Sequence, residues 1–213
     1  MSELTNNDSM SRRTFVGITI AGTAGFAIAD EFQPGSVQPV KPAQLNIKIN
    51  GRQHQLEVDS RTTLLDLLCE NLHLVGTKKG CDHGQCGACT VLADGKRINS
   101  CLSLALMNDG VEVTTIEGLA DNDTLHPMQA AFVEHDGLQC GYCTPGQICS
   151  AIAMLDEVKQ GSPSAVTGDV GRITEIDLSD AEIRERMSGN ICRCGAYPGI
   201  VAAIRSVSQR RSS

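Results

Sequence analysis

Three closely spaced cysteines in a glycine-rich segment constrain this chain more than any other feature. Residues 80–90 read GCDHGQCGACT, in C-x4-C-x2-C order, and a fourth cysteine follows after a strand-like interval. These four residues are called the first cysteine set: Cys81, Cys86, Cys89 and Cys101. The spacing is typical of a plant-type [2Fe–2S] cluster held by four thiolates. The glycines let the loop turn back sharply and bring backbone N–H groups towards the sulfurs. The segment therefore predicts a [2Fe–2S] site.

A second group of four cysteines lies in two glycine-flanked turns further along the chain. The turns read C-G-Y-C at residues 140–143 and C-R-C at residues 192–194. These residues are called the second cysteine set: Cys140, Cys143, Cys192 and Cys194. Two sets of four thiols in one chain predict two [2Fe–2S] clusters. Tyr142 is expected to pack against the second cluster.

A chain with ten cysteines could also use them in disulfides or in structural zinc sites. An exported protein can carry a disulfide framework, and C-x2-C pairs are typical of structural zinc. The C-x4-C-x2-C spacing and the C-x-C pair fit zinc poorly, and the tight glycine-rich turns favour clusters over disulfides. His83 is a Rieske-type alternative ligand, but four suitably spaced cysteines favour thiolates alone. Cys69 and Cys149 are predicted to be buried, inert thiols.

Charge and motif content exclude several classes of function. The formal net charge is −7, and the absence of a basic run argues against nucleic acid as a partner. The sequence contains no Ser/His/Asp set, no paired carboxylates and no G-x-G-x-x-G nucleotide loop. We therefore expect the chain to carry electrons and the bond-breaking chemistry to belong to a partner.

The N-terminus has the pattern of an export signal. Residues 11–16 read SRRTFV, and a short apolar run and a small-residue A-I-A site follow, up to residue 29. This predicts a twin-arginine signal over residues 1–29, which would send a folded, cluster-loaded protein to the periplasm and involve the membrane only during export. An uncleaved membrane anchor is the alternative. Residues 30–43, with three prolines, are predicted to be an extended linker.

The remaining chain predicts an α+β protein with two domains. Over residues 44–118, strands flank a type I′ turn at Asn50-Gly51, and a helix capped by Thr62 or Thr63 precedes the cysteine loop. Three further strands are predicted: one at residues 90–93, one directly after a turn at 94–95, and one at 111–116. Together with the first hairpin and the helix, they predict a β-grasp arrangement. Residues 119–213 predict four helices, which begin near Pro127, near Pro145, after Ser179 or Asp180, and near Pro198, with a surface excursion at 161–178.

Three motifs carry a resemblance to a known family. They are G-C-x-x-G-x-C-G-x-C-T at 80–90, Q-C-G-Y-C-T-P-G at 139–146 and S-G-N-I-C-R-C-G at 188–195. Over about residues 44–207 the chain resembles the iron–sulfur subunits of the molybdenum hydroxylase (xanthine oxidase) family. Within that family it looks most like the small subunits of periplasmic aldehyde oxidoreductases. It departs from many relatives in having Gly195-Ala196 where they have Thr-Gly.

The resemblance implies a heterotrimer and a direction of electron flow. A large subunit would hold molybdenum with a pterin cytosine dinucleotide and oxidise the aldehyde to a carboxylic acid, and another subunit would hold FAD. Electrons would reach the cluster of the second cysteine set, then that of the first set, and then FAD. Gln139 and Cys194 match family positions that lie close to the pterin. The alternatives are an N-heterocycle hydroxylase subunit that delivers electrons to a cytochrome c, and a free-standing ferredoxin-like carrier.

Overall fold

The computed structural model describes residues 40–168 and 176–212. The predicted export signal at 1–29, most of the linker at 30–43 and part of the excursion at 161–178 lie outside the described residues. From Val40 onwards the chain forms one compact unit. Among the described helices, none has the length and apolar character needed to cross a membrane.

The N-terminal half of the described chain forms a five-stranded mixed sheet in the order β2-β1-β5-β3-β4. The first and last strands along the chain, β1 and β5, are parallel, and the other neighbours are antiparallel. The strands are β1 (Ala43–Ile49), β2 (Arg52–Val58), β3 (Thr90–Ala93), β4 (Lys96–Asn99) and β5 (Glu112–Thr114). Together with the helix that crosses one face, this topology confirms the predicted β-grasp fold.

Two tight turns join β1 to β2 and β3 to β4. Asn50 and Gly51 have φ angles of 50° and 77°, and Asp94 and Gly95 have φ angles of 46° and 78°. Both central residues of each turn lie in the left-handed region, as type I′ hairpins require and as Asn-Gly and Asp-Gly pairs favour. The predicted turns at these two positions are confirmed.

A short helix separates the first hairpin from the cysteine loop. Helix α1 (Leu64–Asp66) is capped by Thr63, whose side chain accepts a hydrogen bond from the Asp66 N–H at 3.0 Å. It continues as a wider π-helical turn over Leu67–Asn71, which the sequence pattern did not predict. Leu64 and Leu67 pack into the core beneath the sheet, while Leu65 packs against Cys89 and Cys101. The helix therefore joins the core to the first cysteine set.

The described chain after the sheet contains four α-helices, as predicted. They are α2 (Pro127–Glu134), α3 (Thr144–Lys159), α4 (Asp180–Arg186) and α5 (Tyr197–Ser212). His126 caps α2 and Ser179 caps α4, each through a side chain that accepts a backbone N–H. Helix α4 ends at Arg186.

The sheet and the helices share one core. Leu92 of β3 belongs to the same buried cluster as Phe132, Met154 and Ile204 of the helices. At the start of α3, a side chain at Gly146 would collide with the carbonyl of Gly87. This close approach brings the two cysteine-bearing regions against each other.

Candidate iron–sulfur sites

The strand pairing of the sheet brings half of the first cysteine set together. Cys89 immediately precedes β3, and Cys101 lies two residues after the end of β4. The two strands pair so that Thr90 lies opposite Asn99. The two thiols consequently meet at the end of this hairpin, within side-chain hydrogen-bond contact. Both are buried, at 3% and 6% exposure.

The loop at residues 80–88 supplies the other two thiols of the first set. The Cys81 N–H points at the Cys86 sulfur at 3.4 Å. The N–H groups of His83 and Gln85 point at the Cys81 sulfur at 3.5 Å and 3.2 Å. Gly84, with φ of 78°, provides the reversal that this wrapping needs. Such N–H donors stabilise thiolates and help to set the reduction potential of a cluster.

The thiols of the first set differ in acidity. The backbone N–H of His83 is the main cause that lowers the pKa of Cys81 to about 6, and the neighbouring Cys86 thiol lowers it further. Burial, together with the adjacent Cys89 thiol, raises the pKa of Cys101 to about 11. Because iron binds the thiolate, loading this site must displace protons from the buried thiols.

Two helices position the second cysteine set. Cys143 is the N-cap residue of α3, and the turn 192–194 leads directly into α5. The Cys140 thiol contacts the Cys194 thiol, and the Cys143 thiol contacts the Cys192 thiol. The Ala196 N–H points at the Cys192 sulfur at 3.4 Å, like the N–H donors of the first loop.

Exposure divides the second set into an outer and an inner pair. Cys140 is exposed, and the N–H of Tyr142, followed by the Cys194 thiol, lowers its pKa. Burial raises the pKa of Cys143 to about 12, and the Cys192 thiol beside it raises it further. The pair with Cys140 therefore faces outwards, and the pair with Cys143 faces the protein interior.

In both sets the thiols meet in pairs, and this arrangement fits a [2Fe–2S] cluster. Each iron of such a cluster takes two protein ligands. Over residues 40–168 and 176–212, no three His, Cys, Asp or Glu side chains converge on a single ion position. All ten cysteines lie within these residues, and none forms a disulfide there. The pairs are Cys81 with Cys86, Cys89 with Cys101, Cys140 with Cys194, and Cys143 with Cys192. Their assignment as cluster ligands stays a prediction, which the pairing supports.

Direct hydrogen bonds connect the two sites. The Ile191 N–H donates to the carbonyl of Cys86 at 2.9 Å. The buried Asn190 carboxamide donates to the Gly87 carbonyl at 2.9 Å, and to Thr90 Oγ1 and the Gly146 carbonyl at 3.2 Å each. Sequence reasoning gave Asn190 no role, although it lies within the quoted S-G-N-I-C-R-C-G motif.

Two sequence-based interpretations need correction. The sequence predicts that Tyr142 packs against the second site, but its side chain is 49% exposed. Its hydroxyl donates a hydrogen bond to the Lys79 carbonyl at 2.7 Å. Cys69 is half-buried and not fully buried, and its thiol bonds the Thr77 carbonyl at 3.4 Å. It packs against Cys89 and Cys101.

The remaining candidates lie at the surface of the sites, apart from Cys149, which is buried. Gln139 and Cys140 are exposed side by side, and Cys194 is half-buried next to them. The ring of His83 contacts the Cys81 carbonyl and is exposed. Cys149 is 1% exposed inside α3, as expected for a buried thiol, and burial raises its pKa to about 12.

Comparison with known proteins finds two family models and several close relatives. A 2Fe-2S iron-sulfur cluster binding domain matches residues 47–114, and a [2Fe-2S] binding domain matches residues 115–205. The chain is 57% identical over 206 residues to the Escherichia coli (strain K12) aldehyde oxidoreductase iron-sulfur-binding subunit PaoA, covering 94% of this chain and 89% of that protein. It is 46% identical to caffeine dehydrogenase subunit gamma of Pseudomonas sp. (strain CBB1), covering 77% and 90% of the two chains. The solved quinoline 2-oxidoreductase of Pseudomonas putida 86 has a chain that superposes with a TM-score of 0.65 at 34% identity, covering 80% and 98% of the two chains.

Proposed function

The chain belongs to the iron–sulfur subunits of the molybdenum hydroxylase family, and on this premise we propose that it relays electrons within an exported, molybdenum-dependent aldehyde oxidoreductase. The second cysteine set would hold the cluster that receives electrons from the molybdenum–pterin centre of a large subunit. The first set would hold the cluster that delivers them to an FAD subunit. A [2Fe–2S] cluster supplies one-electron redox chemistry, and the chain supplies ligands, burial and position.

The pairwise arrangement of the eight thiols is the observation that carries this proposal. A relay needs two one-electron centres that are held close together. The structure brings two sets of paired thiols to neighbouring loops, with backbone N–H groups directed at the sulfurs of Cys81, Cys86 and Cys192. It also joins those loops by hydrogen bonds.

The surface around the second cysteine set supports docking of the molybdenum subunit at this end. Gln139 and Cys140 are exposed there. Apolar side chains next to the two turns are also exposed, by 37% to 49%: Leu138, Tyr142, Ile191 and Tyr197. Exposed apolar residues grouped beside a redox site are typical of a protein–protein interface.

The surface beside the first cysteine set supports docking of the FAD subunit. Leu102, which follows Cys101, is 64% exposed, and Met107 is 74% exposed. Electrons would thus enter at the exposed pair of the second set and leave near Cys101. The twin-arginine pattern at residues 11–16 supports export of the folded subunit to the periplasm.

Metal analysis of the wild-type protein, copurified with its partners, tests the proposal. Two [2Fe–2S] clusters predict about four irons and four acid-labile sulfides per chain, and two distinct EPR signals after reduction. Copurified large and FAD subunits and aldehyde oxidation by the complex are the expected companions. Zinc, or oxidised cysteines without iron, would contradict the proposal.

The relatives favour a second candidate function, the hydroxylation of N-heterocycles. Caffeine dehydrogenase and quinoline 2-oxidoreductase are both named for heterocyclic compounds, and their chains match this one over most of their lengths. Assays of the purified complex with aldehydes and with N-heterocycles separate the two candidates. A cytochrome c in place of the FAD subunit would favour the heterocycle enzyme.

A further inference from the structure

Asn190 lies at the junction of the two cysteine sets. It is 7% exposed and stands two residues before Cys192. Its carboxamide reaches the Gly87 carbonyl, which lies between Cys86 and Cys89. Its own carbonyl accepts a hydrogen bond from the buried Gln147 side chain at 2.8 Å. Asn190 therefore contacts both the loop of the first cysteine set and helix α3, which begins at Cys143 of the second set.

The next residue makes the direct connection. The Ile191 N–H donates to the Cys86 carbonyl at 2.9 Å. A path of covalent bonds thus leads from the Cys86 sulfur to its carbonyl, crosses one hydrogen bond, and continues along the backbone to the Cys192 sulfur. Electron tunnelling falls off steeply with the length of such a path, and a gap through space weakens it more than a hydrogen bond does.

The geometry points to Asn190 as a positioning residue that fixes the separation of the two cysteine sets and holds the Ile191–Cys86 hydrogen bond in place. This inference rests on the proposed function, because it concerns one electron that passes from the reduced second site to the oxidised first site. No bond forms or breaks and no proton moves in this step. The carboxamide suits the task because its two N–H donors serve three acceptors from separate segments.

Truncation of Asn190 should loosen this connection without unfolding the sites. The Gly87 carbonyl retains the Thr90 N–H at 3.2 Å and the Thr90 hydroxyl at 2.7 Å. We therefore expect Asn190→Ala to keep all eight thiols in place while the two loops gain freedom relative to each other. Asn190→Ser, which retains one side-chain donor, is the milder second variant.

The experiment compares magnetic and kinetic coupling in the purified complex. Both clusters are reduced chemically, and the spin–spin interaction between them is read from low-temperature EPR. A one-electron reducing pulse then gives the rate of electron equilibration between the sites. In Asn190→Ala we expect unchanged iron content and unchanged g values for each site, a changed spin–spin interaction, and equilibration slower by about tenfold.

The control variant is Arg97→Met. Arg97 also connects the sheet to the helices, through Glu157 at 2.8 Å and Ser150 at 2.9 Å, but bonds neither cysteine loop. It should leave the spin–spin interaction and the equilibration rate at wild-type values. Wild-type coupling in an iron-replete Asn190→Ala protein would overturn the positioning role. So would loss of iron from both Asn190 variants while the control stays loaded. Failure of the proposed function is read separately, from the iron content of the wild type.

Discussion

The cysteines of this chain differ in their ability to bind iron because their surroundings differ. Cys149 is 1% exposed among apolar side chains of the helical core, and burial raises its pKa to about 12. Cys143, six residues earlier, shares its site with the Cys192 thiol. Because an iron–sulfur cluster needs converging thiolates, Cys143 is suited to bind iron and Cys149 is not.

Paired substitutions test this division. Cys149→Ala should keep full iron content and both EPR signals, and should lower the free energy of unfolding by about 1 kcal/mol through the lost packing. Cys143→Ser should lose the iron of the second site and, under the proposed relay, stop turnover, because electrons could no longer leave the molybdenum centre. Iron loss in Cys149→Ala, or full activity in Cys143→Ser, would reverse the assignment.

At the scale of single elements, the first turn of α3 depends on a glycine. A Cβ at Gly146 would collide with the Gly87 carbonyl and lie 2.9 Å from the Ala88 carbonyl, both in the first cysteine loop. Backbone atoms cannot swing aside as a flexible side chain can. Helix α3, which begins at Cys143 of the second cysteine set, therefore packs directly on the loop of the first cysteine set.

We expect Gly146→Ala to destabilise the protein by about 2 kcal/mol, as overpacking against backbone does, and to shift the EPR signal of the first site. Gly189→Ala is the matched control, since no atom lies within 4 Å of a Cβ placed there. It should leave the unfolding midpoint in denaturant and both signals nearly unchanged. Equal effects of the two substitutions would argue against the close approach.

Helix α4 contains a buried ion pair, and the preceding segment donates hydrogen bonds to its carboxylate. Glu182 accepts hydrogen bonds from Ser164 at 2.6 Å, Thr167 at 2.7 Å and Arg186 at 2.9 Å. The side chains of Glu182 and Arg186 are only 7% and 4% exposed. Burial alone would raise the pKa of Glu182, but these hydrogen bonds outweigh it and hold the pKa below the ordinary value of 4.5.

Glu182→Gln should therefore cost about 3 kcal/mol at neutral pH, because the Arg186 charge is left buried without its partner. The depressed pKa of Glu182 gives stability that is present above pH 4.5 and is lost as the pH falls through the folded-state value. The difference between wild type and variant in urea unfolding should shrink on acidification. Glu112→Gln, which removes an exposed ion pair with Lys48, should cost less than about 1 kcal/mol. A pH-independent difference for Glu182→Gln would contradict the assignment.

On the scale of the whole molecule, the sheet and the helices stabilise each other. Leu92 belongs to the sheet but is buried in the helical core, and Arg97 of β4 pairs with Glu157 of α3. The two family models divide the chain at residues 114 and 115, whereas the packing crosses that boundary. We infer that the two parts unfold together.

Leu92→Ala should lower the free energy of unfolding by about 3 kcal/mol and should shift the transitions of both halves equally. Far-ultraviolet circular dichroism follows the helices, and the EPR signal of the first site, in samples frozen along the denaturant series, follows the sheet half. Val133→Ala, at a position on α2 that is 64% exposed, should leave both unfolding transitions nearly unchanged. Separate transitions for the two probes would show that the halves are independent.

Local patterns in the sequence determined much of this protein. The cysteine spacings, the turns at residues 50–51 and 94–95, and the caps Thr63, His126 and Ser179 are interactions between near neighbours along the chain. Their chemistry could therefore be inferred before any packing was known. The same holds for the two-cluster prediction, which depends on ligand type and spacing.

Contacts between distant parts of the chain were decided only by the tertiary structure. Asn190 and Gly87 are separated by 103 positions, and Tyr142 reaches Lys79 across 63. The placement of Leu65 against Cys89, the partial exposure of Cys69 and the pairing of the thiols are of the same kind. Each of these contacts depends on how the helices and loops pack against the sheet. Packing is a property of the whole set of side chains, and no short segment contains it.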